Sequence, residues 1–151
     1  MFLFGFIFLQ YFSTVPLYYK NRHHLSESEI GILMGLNGFL IFILEMPLVK
    51  WLEDTKYSKV FLMSIGVFLT GTSFALLNST NWTGILIIGM LIMTLGEMIT
   101  FPFSNAFALE RAKKGKQGEY MAYYSITFSA SHIFPHNSGI QLIHNIGYNS
   151  T

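Results

Sequence analysis

Apolar residues fall in five long runs, 2–19, 30–49, 60–77, 84–109 and 120–146, separated by short polar connectors. Crossing the roughly 30 Å apolar core of a bilayer takes about 20 residues of helix, so each run has the length of a membrane span. The first run is uncharged and is broken only by Gln10, Ser13 and Thr14. The second carries a single charge, Glu45, and the third carries none. The fourth holds Glu97 near its middle, and the fifth is the most polar, with His132, His136, Asn137 and several serines. The connectors are 20–29, 50–59, 78–83 and 110–119, and charges gather in the first, second and fourth of them, while 78–83 is polar and uncharged. A water-soluble reading would need five buried helices with almost no polar face. The pattern therefore predicts an all-α fold, a polytopic transmembrane helix bundle of about five spans forming a single membrane domain over 1–151.

Composition agrees and narrows the function classes. Nine Lys and Arg face eight Asp and Glu, so 11% of 151 residues are charged, against about 25% in a typical soluble domain. A net charge of +1 without a basic cluster argues against a nucleic-acid partner. The chain has no cysteine, which excludes thiol catalysis and thiolate metal sites. Residues 1–10 lack a basic leader and a small-residue cleavage site, so they read as part of the first span rather than a signal peptide. Orientation follows from Lys and Arg in the short loops. Connectors 50–59 and 110–119 hold Lys50, Lys56, Lys59, Arg111, Lys113, Lys114 and Lys116, whereas 20–29 holds Lys20 and Arg22 and 78–83 holds none. Seven against two places the N-terminus in the cytoplasm of a cell whose inner (plasma) membrane carries the chain.

Polar side chains within lipid turn toward other helices or water-filled cavities. Helical spacing groups Gln10, Ser13 and Thr14 on one face of the first span, and Gly31, Gly35, Gly38, Phe42 and Glu45 on one face of the second. Glycines in that stripe permit close approach of another helix. Glu97, Thr100, Ser104 and Ala108 stack in the fourth span, and Ser125, Ser129, His132, His136 and Gly139 in the fifth. Pro16, Pro47, Pro102 and Pro135 interrupt these four spans, while the third has no proline and no charge. The third span thus reads as facing lipid, and the other four as enclosing a cavity.

Glu97 is the leading candidate for chemistry. An ionised carboxylate at mid-membrane costs several kcal/mol unless paired or hydrated, which suits it to carrying a proton. The alternative is a protonated Glu97 held by a hydrogen bond from a neighbouring helix. His132, at similar depth, reads as a relay partner for that proton or as an interhelical hydrogen-bonding group. Glu45, near the cytoplasmic end of its span, reads as the partner of a cytoplasmic lysine. The expected proton and substrate pathway is therefore Glu97, His132, Gln10, Ser13, Thr14 and Thr100. His132 and His136 also have i, i+4 zinc spacing, but without HExxH. With Glu97 they define an alternative, an intramembrane metal-dependent hydrolase, and a scaffold without chemistry is a third. No GxSxG, P-loop or GxGxxG occurs, so neither an enzyme nor a cofactor is expected.

Several segments resemble the major facilitator superfamily of secondary transporters, in its C-terminal half. Gln10-Tyr11-Phe12-Ser13-Thr14-Val15-Pro16-Leu17-Tyr18 is similar to a seventh helix of that fold. Gly31-Ile32-Leu33-Met34-Gly35-Leu36-Asn37-Gly38, continuing to Glu45-Met46-Pro47-Leu48, resembles the eighth. Gly96-Glu97-Met98 with Pro102 is similar to the tenth helix of drug-efflux and peptide-transporter members. Gln117-Gly118-Glu119-Tyr120-Met121-Ala122 resembles the RGxYMG signature that opens the eleventh. The family's loops between helices eight and nine, and ten and eleven, are cytoplasmic, as the charge count requires.

The resemblance implies transport of a small solute, with protons as the coupling ion and drug or metabolite efflux as one use. It also implies that the partners are the lipid bilayer, the solute and a missing N-terminal half. The substrate site of this fold lies between two six-helix halves, so five spans read as a fragment, the seventh to eleventh helices. In the 50–59 loop, a family gating motif GxxxDRxGRR is only partly kept. Lys50 stands for its first Gly, Asp54 matches, Thr55 replaces Arg, Tyr57 replaces the second Gly and Lys59 keeps a terminal base. Asp54, Lys56 and Lys59 thus read as a gating loop or as a solvated polar turn. The family's GP motif in the eleventh helix is replaced by Phe134-Pro135-His136-Asn137.

Overall fold

A computed structural model describes the backbone of residues 2–77, 82–112 and 115–146, and the side chains of 4–21, 24–77, 82–112 and 115–131. The described residues form five helices and no strand: α1 (Phe2–His23), α2 (Glu27–Glu53), α3 (Lys59–Leu77), α4 (Gly84–Arg111) and α5 (Gln117–Ile146). Every expected span lies inside one helix. Helices satisfy their own backbone donors and acceptors, as a segment surrounded by lipid must. Among the described residues α2, α3 and α4 are long and apolar enough to cross a membrane.

Local chemistry sets the helix ends. His24, with φ 54°, takes the left-handed position that closes α1, and the Leu25 N–H reaches back to the Tyr19 carbonyl at 3.3 Å. That bond folds the chain back over the last turn of α1. Ser58 caps α3, its hydroxyl accepting the Phe61 N–H at 3.3 Å, as an N-cap serine does. Thr55 tightens the end of α2 by donating its hydroxyl to the Leu52 carbonyl at 2.5 Å. Pro16, Pro47 and Pro102 lie inside α1, α2 and α4 without ending them.

The chain forms two compact units, residues 1–27 with 112–151, and residues 28–111. In the first, α1 packs on α5. Phe4, Phe8, Tyr11, Val15, Tyr18 and Tyr19 are its buried apolar positions, a mostly aromatic stripe at helical spacing. Gly5 lets the helices approach closely: an added Cβ would lie 3.2 Å from the Phe128 ring and would overlap the Ser131 hydroxyl. The Tyr11 and Tyr19 hydroxyls share a hydrogen bond of 3.4 Å.

In the second unit α3 packs on α4. Gly66, Thr70 and Ser73 of α3 are buried, as are Gly96 and Thr100 of α4. A Cβ at Gly66 would stand 2.8 Å from the Gly96 carbonyl oxygen, and one at Gly96 would stand 2.7 Å from the Gly66 carbonyl oxygen. The two backbones touch through each other's missing side chains. Thr70 and Ser73 return their hydroxyls to the α3 carbonyls of Gly66 (3.0 Å) and Thr70 (2.7 Å), so these two hydroxyls are satisfied within their own helix. This amends the reading of the third span as lipid-facing. Phe68 and Val67 of α3 are exposed, but its small-residue face is closed on α4.

Helix α2 is the least covered. Phe42 is 84% and Met46 78% exposed, with Ile32, Phe39 and Trp51 also open. Near the expected cytoplasmic end, Leu52 joins Leu62, Ile99 and Phe103 in a buried apolar cluster flanked by Leu48 and Val49. Higher up, its contact with α4 is polar.

Candidate functional site

Halfway along α4, Thr94 and Glu97 lie one helical turn apart and meet Asn37 of α2. The Thr94 hydroxyl donates to the Met90 carbonyl at 2.8 Å and accepts the Asn37 side-chain amide, also at 2.8 Å. The same Asn37 nitrogen donates a longer bond, 3.4 Å, to Glu97 Oε2. Asn37 is 6% exposed and Thr94 1% exposed, so both hydrogens of a buried amide are used, as burial demands. Glu97 itself is half-buried. Glu45 lies two turns beyond Asn37 on the same helix, α2. It forms no ion pair among the described residues, so the expected lysine partner is not found there. The arrangement ties α2 to an acid of α4 through one amide and one hydroxyl. Such a group can take up and release a proton, and can register the change of charge in the contact between helices.

The other sequence-selected residues lie elsewhere. Thr100, one turn past Glu97, points to α3, where its hydroxyl lies against the position a Cβ would take at Gly66 and has no hydrogen-bond partner among the described residues. Gln10, Ser13 and Thr14 are half-buried on α1 in the other unit. Ser13 donates to the Gln10 carbonyl at 3.2 Å, and the buried Thr14 hydroxyl has no partner among the described residues. The side chains of His132 and His136 lie outside the described residues. Among the described residues, no group of three or more His, Asp or Glu is placed to hold a metal ion.

In the 50–59 loop, Asp54 and Lys56 are exposed and form no ion pair among the described residues. Lys59 pairs with Glu110, joining the start of α3 to the end of α4. At the opposite end of the helices, Lys20 pairs with Glu27 at 2.9 Å. The hydrogen bond and charge of Lys20 hold the exposed Glu27 carboxyl below its ordinary value of 4.5.

Asn37 is the residue that sequence reasoning left without a role. Its signal was present, a lone carboxamide in an otherwise apolar stretch between Gly35 and Gly38. The glycine stripe drew attention instead, yet an added Cβ at Gly31, Gly35 or Gly38 meets nothing within 4 Å.

Helices rich in proline and small residues, with a carboxylate tied between two of them at mid-length, define a multi-pass membrane protein built around polar helix contacts. Comparison with known proteins gives the family. The family model for the Major Facilitator Superfamily matches residues 1–134, and the chain belongs to that family. It is 25% identical over 103 residues to a Na(+), Li(+), K(+)/H(+) antiporter of Planococcus maritimus, covering 68% of this chain and 24% of that protein. It is 32% identical over 124 residues to the uncharacterized MFS-type transporter YttB of Bacillus subtilis strain 168, covering 79% of this chain and 30% of that protein. The chain thus spans 24% and 30% of the length of these two curated relatives. No solved structure matches significantly.

Proposed function

We propose that the whole protein is a proton-coupled secondary transporter of a small solute, and that Glu97 carries the coupling proton. The observation behind this reading is the position of Glu97: midway along a membrane-length helix, half-buried and bonded by Asn37 of a second helix. A carboxyl group at that depth, held by an amide that can bond it in either protonation state, suits the carrying of a proton. In this reading Gln10, Ser13, Thr14 and His132 belong to the route, Thr100 being closed between α3 and α4, and the remaining half of the transporter supplies the facing wall. The N-terminus lies in the cytoplasm and the chain in the plasma membrane, on the Lys and Arg count of the loops. Export of drugs or metabolites and exchange of cations for protons are both secondary transport of this kind. The antiporter relative makes Na+, Li+ and K+ the first solutes to try.

The test uses the full-length transporter in everted membrane vesicles, with solute-induced collapse of a pH gradient as the readout. Glu97→Gln keeps the size of the side chain and removes its charge. It should abolish solute-dependent proton movement while leaving the amount of protein in the membrane unchanged. Proton movement with the wild-type pH profile in Glu97→Gln would make Glu97 a structural residue and end this reading.

A further inference from the structure

The Asn37 amide does more than fill space between α2 and α4, because its two hydrogens go to unlike acceptors. One is fixed. The Thr94 hydroxyl has its own hydrogen committed to the Met90 carbonyl, so its oxygen faces Asn37 as an acceptor whatever the pH. The other acceptor, Glu97 Oε2, changes with protonation. An amide donates more strongly to a carboxylate than to a neutral carboxylic acid. The bond to Thr94 therefore sets where the amide sits, and the bond to Glu97 sets how strongly α2 is held to α4 at this depth.

The surroundings give that bond unusual weight. Gly31, Gly35 and Gly38 of α2 have nothing packed on them. The apolar contact of α2 with its neighbours lies at the other end, around Leu52. Within residues 28–111, the charged groups that bear on Glu97 reduce to Glu45. Lys59 is the sole charged residue of α3 and is paired with Glu110, and the face of α3 against α4 is made of Gly66, Thr70 and Ser73.

We infer that Asn37 is a positioning residue for Glu97: anchored on Thr94, its amide holds the Glu97 carboxylate and makes the α2–α4 contact depend on whether Glu97 carries a proton. The inference rests on the proton-carrying role proposed for Glu97. It adds the element that feels the proton. Loading Glu97 weakens the tie and frees the glycine-lined part of α2 to move relative to α4, while unloading restores it. By reciprocity, whatever strengthens the tie must favour the unprotonated carboxyl.

The experiment follows the proton itself and needs no transported solute. The full-length transporter is reconstituted in liposomes, and its carboxylic-acid C=O infrared band is titrated over roughly pH 5 to 9, a range that brackets carboxyls perturbed by burial. The part of the band that disappears in Glu97→Gln belongs to Glu97. In Asn37→Leu its midpoint should move to higher pH by about one unit, a tenfold change in the protonation equilibrium, for the loss of one hydrogen bond to a charged acceptor. Thr94→Val, which removes only the anchor, should move it in the same direction by less. Asn37→Gln, which keeps a donor, should restore part of the shift, and it serves as the readable variant should the leucine protein fail to insert.

An unchanged midpoint in both Asn37→Leu and Thr94→Val, with the Glu97 band still titrating, would overturn the inference and leave Glu97 as the proton carrier. Absence of any Glu97 band that titrates in the wild type would instead remove the proton-carrying role, and the inference with it.

Discussion

Helix α4 meets its two neighbours within residues 28–111 by opposite means. Against α3 it has no side chain to offer at the closest point: Gly66 and Gly96 bring backbone to backbone, and every hydroxyl but that of Thr100 is returned to a carbonyl of its own helix. Against α2 it offers Thr94 and Glu97, and contact at that depth runs through one amide. In lipid, apolar surface gives two helices little reason to associate, so packing of small residues and interhelical hydrogen bonds carry the contact. The first kind is permanent once formed, because close packing has no alternative arrangement of similar energy. The second kind has an acceptor whose charge can change. A transporter needs both in one bundle, a pair of helices that moves as a body and a contact that can let go.

The largest effect should come from filling the closest approach. Gly66→Val puts a Cβ 2.8 Å from the Gly96 carbonyl oxygen, and two helix backbones cannot yield as a side-chain tip does. A loss of about 3 kcal/mol, the upper part of the usual overpacking range, is expected in reversible unfolding of the purified protein by detergent titration. Gly71→Val is the control, since a Cβ there meets nothing within 4 Å, and it should stay within about 0.5 kcal/mol of wild type. Equal losses for the two variants would mean that the α3–α4 contact is not the fixed one.

A smaller loss is expected at the polar contact. Thr94→Val removes the anchoring acceptor of Asn37 but keeps the shape of the side chain. Interhelical hydrogen bonds in membrane proteins are worth about 0.6 kcal/mol on average and rarely approach 2, so the same titration should register about 1 kcal/mol. The contrast with Gly66→Val is the measurable form of the difference between the two interfaces. A Thr94→Val loss as large as that of Gly66→Val would merge them.

How much of this was legible before the structure follows from what a sequence records. The spans were legible because lipid forbids charge over long runs, and Glu45 and Glu97 stood out against that rule. The importance of Gly66, Thr70 and Ser73 was also written in the chain, as small residues at i, i+4 and i+7. It is a quiet signal, because the third span lacks the proline and charge that mark the inward faces of the other spans. Conversely, Gly31, Gly35 and Gly38 carry the same kind of signal and meet nothing within 4 Å among the described residues, because spacing shows that a helix can approach and not which helix does. Asn37 was harder. A single carboxamide has no periodicity, and its partners Thr94 and Glu97 lie 57 and 60 residues away in sequence. Only the fold brings them together. The pairing of Lys59 was hidden for the same reason, since its partner Glu110 closes a different helix.

That last pair gives the smallest effect and decides what the 50–59 loop contributes. Lys59 joins Glu110 across the ends of α3 and α4, the two helices already held by Gly66 and Gly96. An ion pair that ties together helices fixed by close packing has little left to stabilise, and Glu110 is 61% exposed. Exposed pairs contribute roughly 0.2–1 kcal/mol, and salt at about 1 M screens charges beyond some 3 Å. A double-mutant cycle with Lys59→Met and Glu110→Gln should therefore give a coupling below about 1 kcal/mol at low salt, falling toward zero as salt is raised. Asp54→Asn and Lys56→Met, which touch neither partner, should leave that coupling unchanged. A coupling that persists in high salt would instead identify Lys59–Glu110 as a structural clamp equal in rank to the glycine contact. A coupling that disappears when Asp54 is changed would join the loop to the pair as one charge network, the behaviour of a gate rather than of a solvated turn.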